Sequence, residues 1–213
     1  MVMLSVIPVV AGGWVTVPLL GCSLLAMVLI GERVFFWLRV QRRQRGVIEA
    51  VLRLYPRECD RAYQLLQANL TLPLPRIFWV ALSLDHPTPE EFRLALESAT
   101  QAELPILKRF NTVFETIITV APLLGLLGTI LGLMQAFSGL QIGDLSGSTP
   151  QAVTGGISEA LVSTGMGLVV AIITLLFANS FRGLYLRQLA LIQELGGQLE
   201  LLYRHYYSRN YHP

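Results

Sequence analysis

Charged side chains are scarce in this sequence. Of its 213 residues, 14% are Asp, Glu, Lys or Arg, whereas an average soluble domain has about 25%. Hydrophobic residues make up 53% of the chain, and residues 1–31 contain no charged side chain. This composition excludes an ordinary soluble globular domain and indicates a protein that crosses a membrane several times.

Side chains suited to catalysis or metal binding are also scarce. The two cysteines, Cys22 and Cys59, lie in an apolar run and a charged segment, and they lack metal-ligand spacing. No His, Cys or carboxylate pair lies where a nucleophile and a base could meet within an apolar run. A phosphate-binding loop is absent as well. The sequence therefore predicts no enzyme, no cofactor and no metal site.

Three apolar runs have the length of about 20 residues that a transmembrane helix needs. The first lies between Trp14 and Trp37, which suit the aromatic belts at membrane interfaces. We predict an all-α membrane protein with three transmembrane helices and long helices extending into the cytoplasm. The predicted segments are 1–38 (N-terminal segment and first span), 39–110 (cytoplasmic helices), 111–137 (second span), 138–155 (outer loop), 156–181 (third span) and 182–213 (cytoplasmic C-terminal helix).

The distribution of Lys and Arg predicts the topology. These residues lie at the end of the first run and in the segment after it, before the second run, and after the third, whereas residues 138–155 contain none. Since cytoplasmic loops carry the excess of basic residues, we expect the N-terminus and residues 138–155 outside the cytoplasm, and residues 39–110 and 182–213 inside. Because the basic cluster 33–45 follows the first run instead of preceding it, we expect an uncleaved anchor.

Local signals in the predicted cytoplasmic segments indicate where helices begin and end. Thr88, Pro89 and Glu91 predict a capped helix start with a capping box. The helix that begins there is expected to run, with a kink at Pro105, into the second span. Residues 69–75 predict a connector, and the tyrosine-rich end of the chain after Tyr203 is expected to be frayed.

Small residues recur at helical spacing in the second and third runs. Such residues let transmembrane helices approach closely, so we predict packing faces formed by Gly125, Gly128, Gly132, Gly156, Ala160 and Gly167. This interpretation does not exclude a pore, because several subunits packed through these faces could surround one.

Two threonines and one glutamate are the candidate polar groups at membrane depth. Thr129 and Thr164 each lie eight residues from the outer end of their span, which predicts matching depths of about 12 Å. A hydroxyl both donates and accepts, so a ring of them could solvate a proton; the alternative is a bond to a carbonyl one turn back. Glu159 is a candidate for the outer mouth, and a structural hydrogen bond between helices is its competing role.

No Asp, Glu, His or Lys lies near the middle of any of the three runs. A pump or transporter normally keeps a titratable group there. If protons pass through this protein, a partner must therefore supply the titrating side chain.

Two motifs resemble those of the ExbB/TolQ/MotA family of proton-channel subunits, and most closely those of the ExbB branch. They are the run APLLGLLGT at 121–129 and the run GISEALVSTGMGL at 156–168, with the segment AELP at 102–105 ahead of them. The three-span layout is also similar to that of the ExbB branch, whereas the MotA branch has four spans.

The resemblance implies a homopentamer in the bacterial inner membrane. Its pore would hold one-span ExbD-like subunits whose aspartate titrates, and Thr129, Thr164 and Glu159 would lie on the proton path. Proton flow would drive a TonB-like protein that energises outer-membrane transport. A TolQ-like role in envelope maintenance and a non-conducting membrane scaffold remain alternatives, and no nucleic-acid partner is expected.

Overall fold

The structure is a computed structural model that describes residues 14–138 and 150–211. These residues form helices and turns and contain no strand. In chain order the helices are α1 (Thr16–Leu54), α2 (Cys59–Gln67), α3 (Pro73–Leu82), α4 (Pro89–Leu107), α5 (Asn111–Ser138) and α6 (Pro150–Tyr211).

Within residues 14–138 and 150–211, three stretches are long and apolar enough to cross a membrane. One lies in α1, one in the run Pro89–Ser138 that contains α4 and α5, and one in α6. The predicted all-α class with three transmembrane helices is confirmed. The orientation of the termini and the segment boundaries stay predictions, and the outer loop at 138–155 lies largely outside the described residues.

A proline lies near each end of α1. Pro18 is the third residue of the helix, a position whose backbone N–H has no partner inside the helix, so the ring costs no hydrogen bond. At the other end α1 stops at Leu54, two residues before Pro56. The residue before a proline is disfavoured in helical conformation, which explains the stop.

The start of α4 has the predicted capping box. The Thr88 hydroxyl accepts from the Glu91 backbone N–H at 3.3 Å, and the Glu91 carboxylate accepts from the Thr88 backbone N–H at 2.8 Å. Pro89 occupies the first turn, where its fixed φ suits a helix.

The predictions for the start of α3 and for the end of α4 are wrong. Residues 69–75 are not a connector throughout, because α3 already begins at Pro73, with Leu72 in the extended conformation that the residue before a proline favours. The expected continuous helix with a kink at Pro105 does not form either. Helix α4 runs through Pro105 to Leu107, and a turn that includes Phe110 at φ 68° separates it from α5.

The side chain of Arg33 caps the C-terminal end of α4. This arginine is only 2% exposed, and its guanidinium donates to the carbonyl oxygens of Ile106 (3.3 Å) and Leu107. The last carbonyls of a helix lack intrahelical partners and carry partial negative charge. A buried cation therefore satisfies the end of α4.

The chain divides into two compact units. The first contains the described residues 14–32, 110–138 and 150–180, and its core is built from α1, α5 and α6. The buried members of that core are Leu19, Ala26, Ile117, Ala121 and Ala171.

The second unit contains the described residues 33–109 and 181–211. Its rings include Phe92 and Tyr203, which stack at 4.1 Å between centroids, and the Tyr203 hydroxyl donates to the Pro87 carbonyl. The tyrosine-rich end is thus not frayed from Tyr203 onward, since α6 continues to Tyr211. The carboxylate of Glu103, 4% exposed, pairs with Arg76 at 3.0 Å in the same unit.

Candidate functional site

In the first unit, α5 and α6 approach each other through small residues. Gly125, Gly128 and Gly132 are all buried on α5. A Cβ added to Gly128 would lie 2.4 Å from the hydroxyl oxygen of Ser163, and one added to Gly125 would lie 3.0 Å from the Cα of Thr164. The two helix backbones are therefore too close for a larger residue at these positions.

The facing side of α6 has the same property. A Cβ on Gly156 would lie 2.7 Å from the Ala136 Cβ, and one on Gly167 would lie 2.5 Å from the Ala121 carbonyl oxygen. Ala160, 1% exposed, would meet a Cβ on Gly132 at 3.1 Å. The structure thus brings all six small residues singled out in the sequence to one contact surface.

The register of this contact is antiparallel. Gly167 lies against Ala121, Thr164 against Gly125, and Ala160 against Gly132, so the residue numbers run in opposite directions along the two helices. This register decides which polar side chains meet at the same level.

Thr164 lies at the contact between the two helices. Its hydroxyl donates to the Gly125 carbonyl oxygen on α5 at 3.0 Å. The neighbouring Ser163 hydroxyl lies 3.3 Å from the same oxygen and 2.8 Å from the Ala160 carbonyl oxygen. Two hydroxyls therefore converge on one carbonyl, and both keep lone pairs that accept a further hydrogen bond.

Ser163 is a site residue that the sequence reasoning did not include among the candidate polar groups. It is 1% exposed and belongs to the stripe of small residues on α6. Its position in that stripe, directly before Thr164, could have indicated a polar role. A serine at such a position is equally typical of close helix packing.

Thr129 has a different environment from Thr164. It is half-buried on α5, and its hydroxyl donates to the Leu126 carbonyl oxygen at 2.6 Å within the same helix. This is the local bond that was the alternative to a functional role.

The expected equal depth of the two threonines is wrong. Gly128 lies against Ser163 and Gly132 against Ala160, so the level of Thr129 falls two to three residues away from Thr164. At 1.5 Å per residue this is an offset of roughly 3–4.5 Å along the helix axis. The contacts between small residues, and not the predicted ends of the spans, determine how far apart the two threonines lie along the helix axis.

Glu159 is half-buried on α6, one residue before Ala160. Within the described parts of the chain its carboxylate has no hydrogen-bond or ion-pair partner. Glu159 therefore makes no interhelical hydrogen bond within the described part of a single chain, which was the alternative role considered for it. In the membrane such a carboxylate is costly unless water, a proton or a partner satisfies it.

Comparison with known proteins identifies a family and several similar proteins. Residues 65–194 match the family model described as the MotA/TolQ/ExbB proton channel family. The chain is 63% identical over 199 residues to the putative biopolymer transport protein ExbB-like 3 of Synechocystis sp., covering 93% of this chain and 95% of that protein.

Two further relatives come from other bacteria. The chain is 31% identical over 162 residues to the biopolymer transport protein exbB1 of Vibrio cholerae, which covers 73% of this chain and 69% of that protein. It is also 34% identical over 106 residues to the Tol-Pal system protein TolQ of Haemophilus influenzae, covering 50% and 44% of the two chains.

Proposed function

Because this chain belongs to the MotA/TolQ/ExbB proton channel family and is close to ExbB, we propose that it is a proton-channel and motor subunit. In this proposal it couples inward proton flow to mechanical work on a TonB-type partner and thereby energises outer-membrane transport. The resemblance deduced from the two motifs is confirmed by the family match. The coupling role goes beyond that match and is proposed on the arguments below.

The observation that carries the proposal is the pair of hydroxyls at the α5–α6 contact. Thr164 and Ser163 converge on the Gly125 carbonyl, at a depth where lipid offers no hydrogen-bonding partner. The lone pairs of these hydroxyl oxygens can accept hydrogen bonds from water or from a carboxylic acid. A series of such hydroxyls, with water or a carboxylic acid beside them, therefore supports proton transfer. In this proposal Thr129 and Glu159 lie on the proton path as well, nearer to the ends of the helices at residues 138 and 150.

The partner in this proposal supplies the titrating group. The three spans have no Asp, Glu, His or Lys near their middle, and the unpartnered hydroxyl lone pairs suit a carboxylic acid brought in on another helix. We propose a one-span, ExbD-like subunit with a mid-membrane Asp in the pore of a homopentamer. A TonB-like protein would receive the work, and one proton crossing 100 mV contributes about 2.3 kcal/mol.

The proposed location is the bacterial inner membrane. The N-terminus would be periplasmic and the C-terminus cytoplasmic, as the distribution of Lys and Arg requires. The chain itself would perform no enzymatic reaction.

Two other functions are supported by particular observations. The match to TolQ of Haemophilus influenzae supports a role in an envelope-maintenance system. The local bond of the Thr129 hydroxyl supports a non-conducting scaffold, in which the hydroxyls only stabilise their helices.

Partner-dependent proton flux tests the proposal. The chain would be reconstituted in liposomes together with the one-span protein that co-purifies with it, and proton entry measured with an internal pH dye. We expect Thr129→Val and Thr164→Val to abolish the flux.

Thr119→Val is the matched control, because the Thr119 hydroxyl also bonds one turn back in α5, to the Glu115 carbonyl at 2.9 Å. Flux should persist in this variant. Normal flux in both the Thr129 and Thr164 variants would contradict the proton path and favour the scaffold.

A further inference from the structure

Glu115 is the only charged side chain of α5. It lies inside the second predicted span, and its side chain is exposed on the surface of the chain. Within the described residues its carboxylate has no hydrogen-bond or ion-pair partner. A carboxylate inside a membrane span is costly, so such a residue normally faces a polar partner or a water-filled path.

Neither the end of its own helix nor the facing helix accounts for this carboxylate. A negative charge is stabilised in the first turn of a helix, but Glu115 is the fifth residue of α5 and the first turn contains no acidic residue. On the facing helix, Gly167 lies against Ala121, and residues 165–178 carry no charge that could pair with Glu115. Helices α5 and α6 therefore offer neither a dipole nor a cation to hold the carboxylate.

Glu115 and Thr129 lie on the same face of α5. They are 14 residues apart, which is nearly four turns, so they are separated by about 40° around the helix and by about 21 Å along it. Thr119, the control residue named above, lies about 80° from Thr129 around the helix and falls outside the sector between the two. One face of α5 therefore carries a polar group near each end of the span.

Pro122 adds a backbone acceptor to this face. A proline has no N–H to donate to the carbonyl four residues back, which in α5 is the carbonyl of Ile118. Ile118 lies within about 20° of Thr129 around the helix. Water molecules along this face would therefore find acceptors at the Thr129 hydroxyl, at the Ile118 carbonyl and at the Glu115 carboxylate.

We propose that Glu115 accepts the proton at the cytoplasmic end of the path and passes it to bulk water. The carboxylate takes a proton from a hydronium ion that arrives along the face of Thr129, which leaves water and a neutral carboxylic acid. The acid then returns the proton to water beyond the start of α5 and recovers its charge. The inference rests on the proposed function, and it adds a titrating side chain of this chain to the group that the partner supplies at mid-membrane.

Proton flux in the reconstituted complex tests the role of the carboxylate. We expect Glu115→Gln to lower the partner-dependent flux about tenfold or more, since the amide keeps the size of the side chain but does not take up the proton. The matched control is Glu32→Gln, because Glu32 is an exposed carboxylate on α1, which carries no residue of the proposed path. Unchanged flux in Glu115→Gln, or an equal loss in Glu32→Gln, would overturn the proposal.

Chemical restoration of the acid distinguishes a proton acceptor from a structural residue. Glu115→Cys, in a Cys22→Ser and Cys59→Ser background, would be treated with iodoacetate or with iodoacetamide. Each reagent alkylates the thiol with loss of iodide, and the products are of nearly equal size, but only iodoacetate adds a carboxylate. We expect the flux after iodoacetate to exceed that after iodoacetamide about threefold or more. Equal flux after the two treatments, or a thiol that iodoacetate does not reach, would overturn the proposal.

The unaltered complex separates this inference from the proposed function. A complex without partner-dependent proton flux would contradict both. Flux that is lost in Thr164→Val but normal in Glu115→Gln would contradict the role of Glu115 alone.

Discussion

The hydroxyl of Thr164 donates a hydrogen bond to the carbonyl oxygen of Gly125, 3.0 Å away on the neighbouring helix. This bond exists because Gly125 has no side chain, since an added Cβ would lie 3.0 Å from the Cα of Thr164. The glycine therefore provides both the acceptor and the room for the donor. A larger residue at position 125 would therefore disturb both the close approach of the two helices and the hydrogen bond from Thr164.

Removing the Thr164 hydroxyl should affect stability only slightly. Interhelical hydrogen bonds in membranes contribute about 0.6 kcal/mol on average and up to about 1.7. Because Ser163 still lies within hydrogen-bonding distance of the Gly125 carbonyl, we expect Thr164→Val to cost about 0.6 kcal/mol. Reversible unfolding in mixed micelles measures this cost. Thr164→Ser, which keeps the hydroxyl, is the control and should lie closer to the unaltered chain; a cost above about 2 kcal/mol for Thr164→Val would show that the bond has a larger structural role.

Adding a methyl group to Gly128 should be much more damaging. The new Cβ would lie 2.4 Å from the Ser163 hydroxyl oxygen and 2.7 Å from the Ser163 Cβ, and overpacking of this kind costs about 1–3 kcal/mol. We expect Gly128→Ala to lower the free energy of unfolding by that amount.

The control for Gly128→Ala is Gly165→Ala, where nothing lies within 4 Å of the added atom. This variant should be neutral or stabilising, because alanine is the better helix former. The double variant Gly128→Ala with Ser163→Ala should recover only part of the loss, since the Ser163 Cβ remains. Equal stability of the two single variants would show that the close contact is absent in the membrane.

The packing face of α5 and α6 was predictable from the sequence because helical spacing alone determines which residues share a face. Gly125, Gly128 and Gly132 recur at intervals of three and four, and no other part of the chain enters that argument. The relative depth of Thr129 and Thr164 was not predictable in the same way. It depends on the register between two helices, which the contacts of Ser163 and Ala160 determine.

The end of α4 shows the same limit. Pro105 was the residue from which a bend was predicted. A helix tolerates a proline near its end, however, when the surrounding packing compensates for the missing backbone hydrogen bond. The last carbonyls of α4 are bonded by Arg33, which lies 73 residues away from Ile106 in sequence. A local pattern carries no information about such a contact. The capping box at Thr88 was predictable, by contrast, because donor and acceptor lie three residues apart.

Arg33 should be the most sensitive basic residue of the second unit. Hydrogen bonds to charged groups contribute about 1.5–3 kcal/mol, and the buried Arg33 guanidinium donates to two carbonyls at the end of α4. We expect Arg33→Met, which keeps an unbranched apolar stem but removes the guanidinium, to lower the free energy of unfolding by about that amount.

Loss of the Arg33 contacts should also be visible locally. The last turn of α4 should exchange its amide hydrogens faster in Arg33→Met, because its final carbonyls lose their donor. Arg43→Met is the control, since Arg43 is exposed on the same helix α1, and it should change neither measurement. Unchanged exchange in the last turn of α4 in Arg33→Met would contradict this account of the helix end.

The thiol of Cys59 should react more slowly than an ordinary cysteine. Burial raises its pKa, and the negative charge of Asp60 raises the pKa further; the thiol also donates to the Tyr55 carbonyl at 3.2 Å. Since the thiolate is the reactive form, a raised pKa leaves less of it at pH 8. In a Cys22→Ser background, alkylation by iodoacetamide should therefore be slower than that of a free cysteine peptide, and its pH–rate profile should be displaced to higher pH.

Asp60→Asn should shift the profile back only part of the way, because burial is the larger cause. A profile at the position of the free peptide, in the folded chain, would show that solvent reaches the thiol and that the contact with Tyr55 is not maintained.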